Sequence, residues 1–239
     1  MCFHYSLTKE RAEIEIQLGA TWDCDWQPVN YVNGFSFPKM PIITQREPNK
    51  IQLSEWGLIP HWAKSKADAD KIRAQTLNAR SETLFEKPSF RSYIPNNRCL
   101  IIADGFFEWM DFQKKKYPHY IYLKNNSTFC FAGIYASWTD KETGEHLTTH
   151  SIITTAANPM LAKIHNSKER MPVIVPPHLY KKWLTPDLAK DEINAFFVPY
   201  PDAEMQNHTI SKLITSRTDN PNVPEVKEPF IYPELAFLE

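Results

Sequence analysis

RCLIIADGFFEWM, residues 98–110, is an apolar run rich in the β-branched and aromatic residues that favour strands. Two similar runs follow it closely, YPHYIYLK (117–124) and TFCFAGIYASW (128–138), and THSIITTAA (149–157) comes next. Short connections between such runs are typical of hairpins in an antiparallel sheet. Because these strands are grouped instead of alternating with helices, the sequence predicts an α+β fold with a curved, mostly antiparallel, barrel-like β-sheet flanked by helices.

Helices and shorter strands are predicted on both sides of this core. One helix follows Thr8 as its N-cap and ends at Gly19, and a second, over 65–77, is capped by Ser65. Further helices are predicted at 81–87, 89–94 and 158–166, and two amphipathic ones within 178–197. The remaining strands are predicted at 1–7, at 51–62 with a turn at Pro60, and at 171–176.

Length and composition predict one large domain. The 239 residues, 42% hydrophobic and 13% aromatic, are enough for a single well-packed core. We expect one domain over residues 2–239, with Met1 removed and an extended C-terminal tail from about residue 220. The four cysteines form no C-x-x-C pair, and no segment is long and apolar enough to cross a bilayer. We therefore expect a monomeric cytoplasmic protein with free thiols.

Cys2 is the residue whose reactivity follows most directly from the sequence. Loss of Met1 leaves it with a free α-amine, whose pKa of about 7.7 to 8.0 keeps part of it neutral and nucleophilic at physiological pH. Such an amine condenses with an aldehyde to an imine, and the thiol on the adjacent carbon then closes a thiazolidine ring. On an amide or ester, the same residue is an N-terminal nucleophile that supplies its own base. The alternative is that Cys2 is an apolar start to the first strand.

The segment TLNARSET, residues 76–83, places Asn78, Arg80 and Glu82 at alternate positions. In an extended segment these three side chains project from one face. An amide beside a guanidinium suits a phosphate or carbonyl ligand. The alternative is a surface turn capped by Ser81.

Two other segments carry candidate acid–base groups. Glu108 is the single acid of an apolar strand, between Phe107 and Trp109. An apolar environment raises the pKa of a carboxyl group towards neutrality and suits it to general acid–base catalysis, whereas strand alternation could instead place it in solvent. His165 ends a predicted helix and Arg170 precedes a predicted buried strand. Histidine shuttles protons near neutral pH, although a helix-terminal histidine also complements the helix dipole.

Five segments occur in order along the chain: MCFHYS, WGLIPHW, NARSE, GFFEW and HNSKERMPVIV. Together they resemble the SOS-response-associated peptidase (SRAP) family, and the resemblance covers most of the chain. It implies the SRAP fold and a protein of DNA damage and the SOS response that captures abasic sites in single-stranded DNA. The capture forms a covalent thiazolidine crosslink at the N-terminal cysteine. Family members are also peptidases, which remove residues ahead of that cysteine autocatalytically.

The resemblance implies a role for each matching residue. Cys2 is the covalent nucleophile, and Asn78 orients the reacting sugar or the cysteine. Glu108 transfers protons, and His165 assists ring opening, imine chemistry and reversal of the crosslink, a lyase-type step. Because thiazolidine formation is a condensation that needs only proton transfer and positioning, we expect no metal and no organic cofactor.

The resemblance also implies how DNA is held. Arg80 and Arg170 contact backbone phosphates, and Trp62 offers an apolar surface beside a nucleotide. Because the net charge is -1, the protein as a whole does not attract DNA, and local contacts of this kind must hold it. Contacts to phosphates predict little sequence specificity.

This chain departs from the family in three places. The family commonly begins M-C-G-R, whereas this chain has Phe3 and His4 after the cysteine. Residues 166–169 separate His165 from Arg170 where the family usually has one residue, so a phosphate contact by Arg170 requires a bulging loop. The segment NGFSFPKMPIIT (33–44) replaces the usual Y-N-x-x-P-T.

Two other functions stay open on sequence alone. One is an N-terminal-nucleophile cysteine peptidase or amidohydrolase acting on other substrates, which needs an oxyanion hole and a substrate groove. The other is a non-catalytic module for single-stranded DNA, with Cys2 as ordinary strand. Replacing Cys2 by Ala separates both from the crosslinking enzyme.

Overall fold

The computed structural model describes residues 2–235, which form fourteen β-strands and five α-helices. The strands are β1 (His4–Leu7), β2 (Thr21–Trp22), β3 (Val29–Asn33), β4 (Lys39–Thr44), β5 (Lys50–Trp56), β6 (Asn78–Arg80), β7 (Arg98–Ala103), β8 (Gly105–Phe112), β9 (Lys115–Leu123), β10 (Phe129–Thr139), β11 (His146–Ala156), β12 (Arg170–Pro172), β13 (Ile174–Val175) and β14 (Met205–Thr209). The helices are α1 (Arg11–Leu18), α2 (Lys66–Arg73), α3 (Pro159–Ile164), α4 (Tyr180–Trp183) and α5 (Lys190–Asn194).

Five strands close into a ring at the centre of the molecule. Strands β11, β10, β7, β4 and β5 pair antiparallel in that order, and β5 returns to β11 through a short parallel pairing. Because the ring is closed, each of these strands has a neighbour along both of its edges. The ring encloses a core in which Trp56, Ile101 and Phe131 are fully buried. The α+β fold with a curved, barrel-like, mostly antiparallel sheet is therefore confirmed.

A second, antiparallel sheet carries the start of the chain. Its order is β14, β9, β8, β1 and β3. Strand β1 pairs with β8 through Tyr5 opposite Phe106 and Ser6 opposite Gly105. The strand that follows Cys2 therefore lies beside the strand that carries Glu108.

The apolar run 98–110 divides at Asp104 into two strands that belong to different sheets. The buried Asp104 carboxylate accepts hydrogen bonds from the Ser6 hydroxyl, the Thr8 hydroxyl and, at 2.6 Å, the Thr8 N–H. Gly105 follows because a Cβ there would lie 2.2 Å from the Tyr120 hydroxyl oxygen. This junction fixes β1, the strand that follows Cys2, against β8.

The same junction corrects the predicted start of the first helix. Helix α1 begins at Arg11 with Glu10 at its N-cap, because the Thr8 hydroxyl donates to Asp104 instead of capping the helix. Its end at Gly19 is confirmed, and Gly19 has the left-handed φ of +64° that glycine adopts without steric cost.

The other predicted helices are confirmed in part. Ser65 caps α2 through a hydrogen bond from the Asp68 N–H at 3.2 Å, but the helix ends at Arg73. The helices predicted at 81–87 and 89–94 are wrong, since this segment contains one 3₁₀ turn, Ser81–Thr83, followed by turns. Pro88 and Pro95 each follow one of these stretches, and a proline disfavours the helical conformation in the residue before it.

The C-terminal part of the described chain, residues 220–235, contains two 3₁₀ turns, Pro224–Lys227 and Pro233–Leu235. Val226 within it is fully buried. The end of the predicted tail, residues 236–239, and Met1 lie outside the described residues. None of the helices within residues 2–235 has the length and apolar character needed to span a membrane.

Candidate active site

Cys2 lies just before β1 and is fully buried. Its thiol donates a hydrogen bond to the His4 carbonyl at 3.6 Å, and its own carbonyl accepts one from the Asn78 side-chain amide at 2.8 Å. Burial raises the pKa of the Cys2 thiol, and the negative charge of the nearby Glu108 raises it further. The thiol therefore stays protonated at neutral pH.

Glu108 lies on β8 with its side chain in the interior. Burial raises the pKa of its carboxyl group to about 8. The protonated form therefore predominates at pH 7, and the group can donate a proton there. The prediction of an apolar environment is confirmed, and the solvent-facing alternative is wrong.

His165 follows α3, which packs against β8. Its Nδ1 is 2.9 Å from the Arg170 carbonyl oxygen, which can only accept, so Nδ1 carries the ring proton. Its Nε2 lies 3.9 Å from Oε2 of Glu108. Burial lowers the pKa of His165 and keeps the ring neutral at pH 7, with the Nε2 lone pair directed towards Glu108.

Asn78 reaches Cys2 from the barrel. It begins β6, which pairs parallel with β11 through Asn78 opposite Ile152. The four predicted catalytic residues thus come from four separate segments and meet beside the start of β1. Their clustering is a property of the structure, whereas their catalytic roles stay predictions.

A cavity of about 410 Å³ opens beside this group. Its wall is formed by Phe3, His4, Glu108, Trp109, Lys116, His165, Ser167, Lys168 and Thr215. Sequence reasoning identified neither Lys116 nor Lys168, because a lysine in a hairpin or loop carries no local signal of a site. Within residues 2–235 there is no group of three His, Cys, Asp or Glu side chains that could hold a metal ion.

His4 lies at the position where the family resemblance led us to expect an arginine. Its Nδ1 is hydrogen-bonded to the Tyr31 hydroxyl at 2.9 Å, and Trp109 contacts its ring edge-on with centroids 4.9 Å apart. Burial lowers the pKa of His4 to about 4. Position 4 therefore brings no positive charge to the site at neutral pH.

The two predicted phosphate-binding arginines differ in their surroundings. Arg170 is 7% exposed, and its guanidinium forms an ion pair with Glu82 and donates to the Thr154 carbonyl at 2.6 Å. Arg80 is exposed, with Nε 3.8 Å from a Glu82 carboxylate oxygen. The bulging loop 166–169 does form, yet the Arg170 guanidinium is directed to Glu82. Phosphate binding by either arginine stays a prediction.

Trp62, the predicted nucleotide surface, is 45% exposed. It lines a separate cavity of about 280 Å³ with Lys64 and Lys71. Neither lysine lines the cavity at Glu108. A role for Trp62 in binding a nucleotide stays a prediction.

The fold and the buried cysteine, carboxyl and imidazole groups define the class of protein. The chain belongs to the SOS response associated peptidase (SRAP) family, whose family model matches residues 1–217. The resemblance predicted from the five segments is confirmed.

Curated relatives carry a more specific name. The chain is 40% identical over 183 residues to "Abasic site processing protein YoqW" of Bacillus subtilis, a match that covers 76% of this chain and 78% of the relative. It is 31% identical over 188 residues to "Abasic site processing protein HMCES" of Gallus gallus, covering 70% of this chain and 54% of that protein.

Solved structures show the same fold. A crystal structure of a protein from Bacteroides thetaiotaomicron matches with a TM-score of 0.89 and 39% identity, covering 96% of this chain and 100% of that one. One from Bordetella bronchiseptica matches with a TM-score of 0.77 at 24% identity, covering 88% of this chain and 100% of that one, and speaks for the fold alone.

Proposed function

We propose that this protein captures abasic sites in single-stranded DNA as a thiazolidine between Cys2 and the ring-opened deoxyribose. The observation that carries the proposal is the placement of Glu108 and His165 beside a cysteine whose carbonyl is held by Asn78. The names of the relatives support the substrate. An abasic deoxyribose exists partly as an aldehyde, the one group that uses both the amine and the thiol.

The buried thiol sets the order of events. Because its pKa is raised, the α-amine left by removal of Met1 attacks the aldehyde first and gives a carbinolamine. Glu108 in its protonated form donates to the departing hydroxyl, so water leaves and an iminium ion forms. The thiol sulfur then bonds to the iminium carbon while its proton returns to the Glu108 carboxylate. One water is released, and nothing is oxidised or reduced.

His165 acts on the sugar in this scheme. Its neutral Nε2 is a proton acceptor, because Nδ1 is held as a donor by the Arg170 carbonyl. It removes the proton of the C1′ hydroxyl and gives it to the ring oxygen as the bond between C1′ and that oxygen breaks, so the products are the aldehyde and a 4′ hydroxyl, and the imidazole is again neutral. In the reverse direction the same proton transfer closes the ring as the crosslink is released.

The same site can expose its own nucleophile. In this part of the proposal, Cys2 and Glu108 cleave a peptide bond ahead of position 2, which is the peptidase activity of the family name. A protein made with a short tag before Cys2 tests it, because removal of a single initiator methionine cannot shorten such a tag. Intact mass should show loss of the tag in the wild type and its retention in Glu108→Gln. Retention of the tag in both would overturn autocatalysis.

The function is tested with single-stranded DNA that carries one abasic site. The wild type should give a slower band on a denaturing gel, and Cys2→Ala should give none. Cys24→Ala is the matched control, because Cys24 is also a free thiol but is part-exposed. Intact mass should confirm that Met1 is absent from the reacting protein.

Each other outcome has a distinct meaning. No band with the processed wild type overturns the crosslinking function, and a band that persists in Cys2→Ala overturns the nucleophile. Non-covalent binding equal in the wild type and Cys2→Ala, with no covalent band, would favour a DNA-binding module.

A further inference from the structure

The cavity beside Cys2 carries two exposed lysines, Lys116 and Lys168. They come from different elements, Lys116 from β9 and Lys168 from the loop after His165. The wall that holds both lysines also contains Glu108 and His165. No carboxylate within residues 2–235 lies within 4.0 Å of either ammonium nitrogen. Their charge is therefore available to a ligand in this cavity.

The other expected cations bring little positive charge to this cavity. Arg170 is buried and paired with Glu82, and Arg80 lies 3.8 Å from the same carboxylate. His4 is neutral at pH 7 because its pKa is about 4. Neither arginine is part of the cavity wall. An anionic strand that enters the cavity thus meets two lysines.

The loop that carries Lys168 is fixed to β8. The Asn166 side chain accepts a hydrogen bond from the Asp111 N–H at 3.0 Å and donates one to the Asp111 carbonyl at 2.8 Å. The Lys168 N–H donates to the His165 carbonyl at 3.2 Å, which keeps the loop folded back on the helix end. Residues 166–168 are turn, and Glu169 leads into β12.

Lys116 stands opposite Asp111 in the pairing of β8 with β9. Asp111 therefore both holds the loop and faces Lys116. The hairpin and the loop meet there, and both lysines line the same cavity.

We propose that Lys116 and Lys168 bind the DNA phosphodiester next to the reacting deoxyribose, an inference that rests on the proposed function. The lysine pair supplies the positive charge that is absent at position 4. Two ammonium groups beside one phosphate give charge-assisted hydrogen bonds without reading a base, so the contact is independent of sequence.

The test measures binding apart from crosslinking. Single-stranded DNA with a tetrahydrofuran residue, which has no aldehyde, is titrated from about 50 to about 200 mM salt and followed by fluorescence anisotropy. The variants are Lys116→Gln, Lys168→Gln and the double variant. The control is Lys114→Gln, which removes an equal charge from the same hairpin at an exposed position outside the cavity wall.

The double variant should bind about tenfold more weakly at the lowest salt concentration, the effect of losing a charge-assisted contact. Its plot of log affinity against log salt should be shallower by about 0.7, the slope of one phosphate contact on a single strand. The control should stay within about twofold of the wild type, as surface substitutions usually do. Both lysines are exposed, so the melting temperature should not change.

A double variant with wild-type affinity and wild-type slope would overturn the phosphate site. A loss in Lys114→Gln equal to that in the double variant would also overturn it, since the effect would then be one of net charge. If the tetrahydrofuran strand binds as expected but an abasic strand gives no crosslink, the proposed function fails and the phosphate site stands.

Discussion

Two cavities are lined by α3 and the segment after it, and they differ in size and in chemistry. The larger, of about 730 Å³, has Met160, Lys163 and Phe230 in its wall, and the smaller, of about 410 Å³, has Glu108 and His165. They share one sheet, because His119 of the larger cavity stands opposite Glu108 in the pairing of β8 with β9.

The two cavities surround their buried titratable groups differently. In the larger one, the His119 Nδ1 is hydrogen-bonded to the Asn207 side-chain oxygen at 3.2 Å, and burial lowers the pKa of His119. No cysteine lines either cavity, but the charge of Glu108, in the wall of the smaller one, raises the pKa of the nearby Cys2 thiol. In the smaller one, a protonated carboxyl group and a neutral imidazole lie beside a thiol and the start of the chain. Because the smaller cavity groups these buried acid–base groups, we expect the chemistry there and not in the larger cavity.

The largest effect is expected from Cys2→Ser, which keeps the amine and replaces sulfur. The stable band should disappear completely, because the hydroxyl does not lock the imine as the thiol does. A borohydride-type reductant should restore a band by reducing the imine to an amine. A stable band in Cys2→Ser without reductant would show that the thiol is dispensable.

Glu108→Gln should slow crosslinking by about 10² to 10⁴, the usual contribution of general acid–base catalysis. The ratio of wild-type to variant rate should fall as pH rises through about 8, because the wild type loses its acid form there. Single-turnover rates of both proteins give this ratio and cancel the titration of the amine. A ratio that is constant with pH would contradict proton donation by Glu108.

Arg170→Gln should lower the free energy of unfolding by about 2 to 3 kcal/mol, because it breaks a largely buried ion pair and its hydrogen bonds. The loss is smaller than for a fully buried pair, because Glu82 is half-exposed and solvent screens its charge. Chemical denaturation measures it. The salt dependence of DNA binding should remain that of the wild type. A shallower salt dependence with unchanged stability would instead support the phosphate role predicted for Arg170.

The pH dependence of stability tests the burial of Glu108 without substrate. Its pKa is raised in the folded protein, so the folded state holds more protons than the unfolded state between about 4.5 and about 8. The stability contributed by the protonated group is complete below the unfolded pKa and is lost as pH rises through the folded value. Glu108→Gln should therefore become more stable relative to the wild type as pH rises across this window. A difference that stays constant in denaturation curves would contradict the raised pKa.

The smallest effect is expected in the larger cavity. Phe230 is exposed in its wall, and Phe230→Ala should change the crosslinking rate by less than about twofold. The same kinetic assay measures it. A loss of crosslinking rate as large as that of Glu108→Gln would show that the larger cavity also takes part in the reaction. It would contradict the assignment of the chemistry to the smaller cavity alone.

Sequence reasoning selected four residues that the structure places near one another, because each belongs to a compact motif. Cys2, Asn78, Glu108 and His165 lie in short segments with unusual neighbours, and the grouped apolar runs predicted the sheet. Such signals are local, so they can be recognised in the sequence without knowledge of the fold.

What the sequence could not predict depends on partners distant along the chain. The pairing of Arg170 with Glu82 spans 88 residues. The Asp104 contacts that displaced Thr8 from its cap span 96 residues. The Asp–Gly pair within the apolar run was the one local sign of that break, because such pairs mark turns.

Complete burial of Cys2 also affects how long the reactive group survives. Oxidation to sulfenic acid and alkylation both proceed through an exposed thiolate, and the Cys2 thiol is neither exposed nor ionised at neutral pH. All four cysteines lie within the described residues, and Cys24 alone is part-exposed, so small electrophiles should label Cys24 first. If the proposed function holds, burial keeps the Cys2 thiol intact until a substrate that first bonds to the amine brings its carbon to the sulfur.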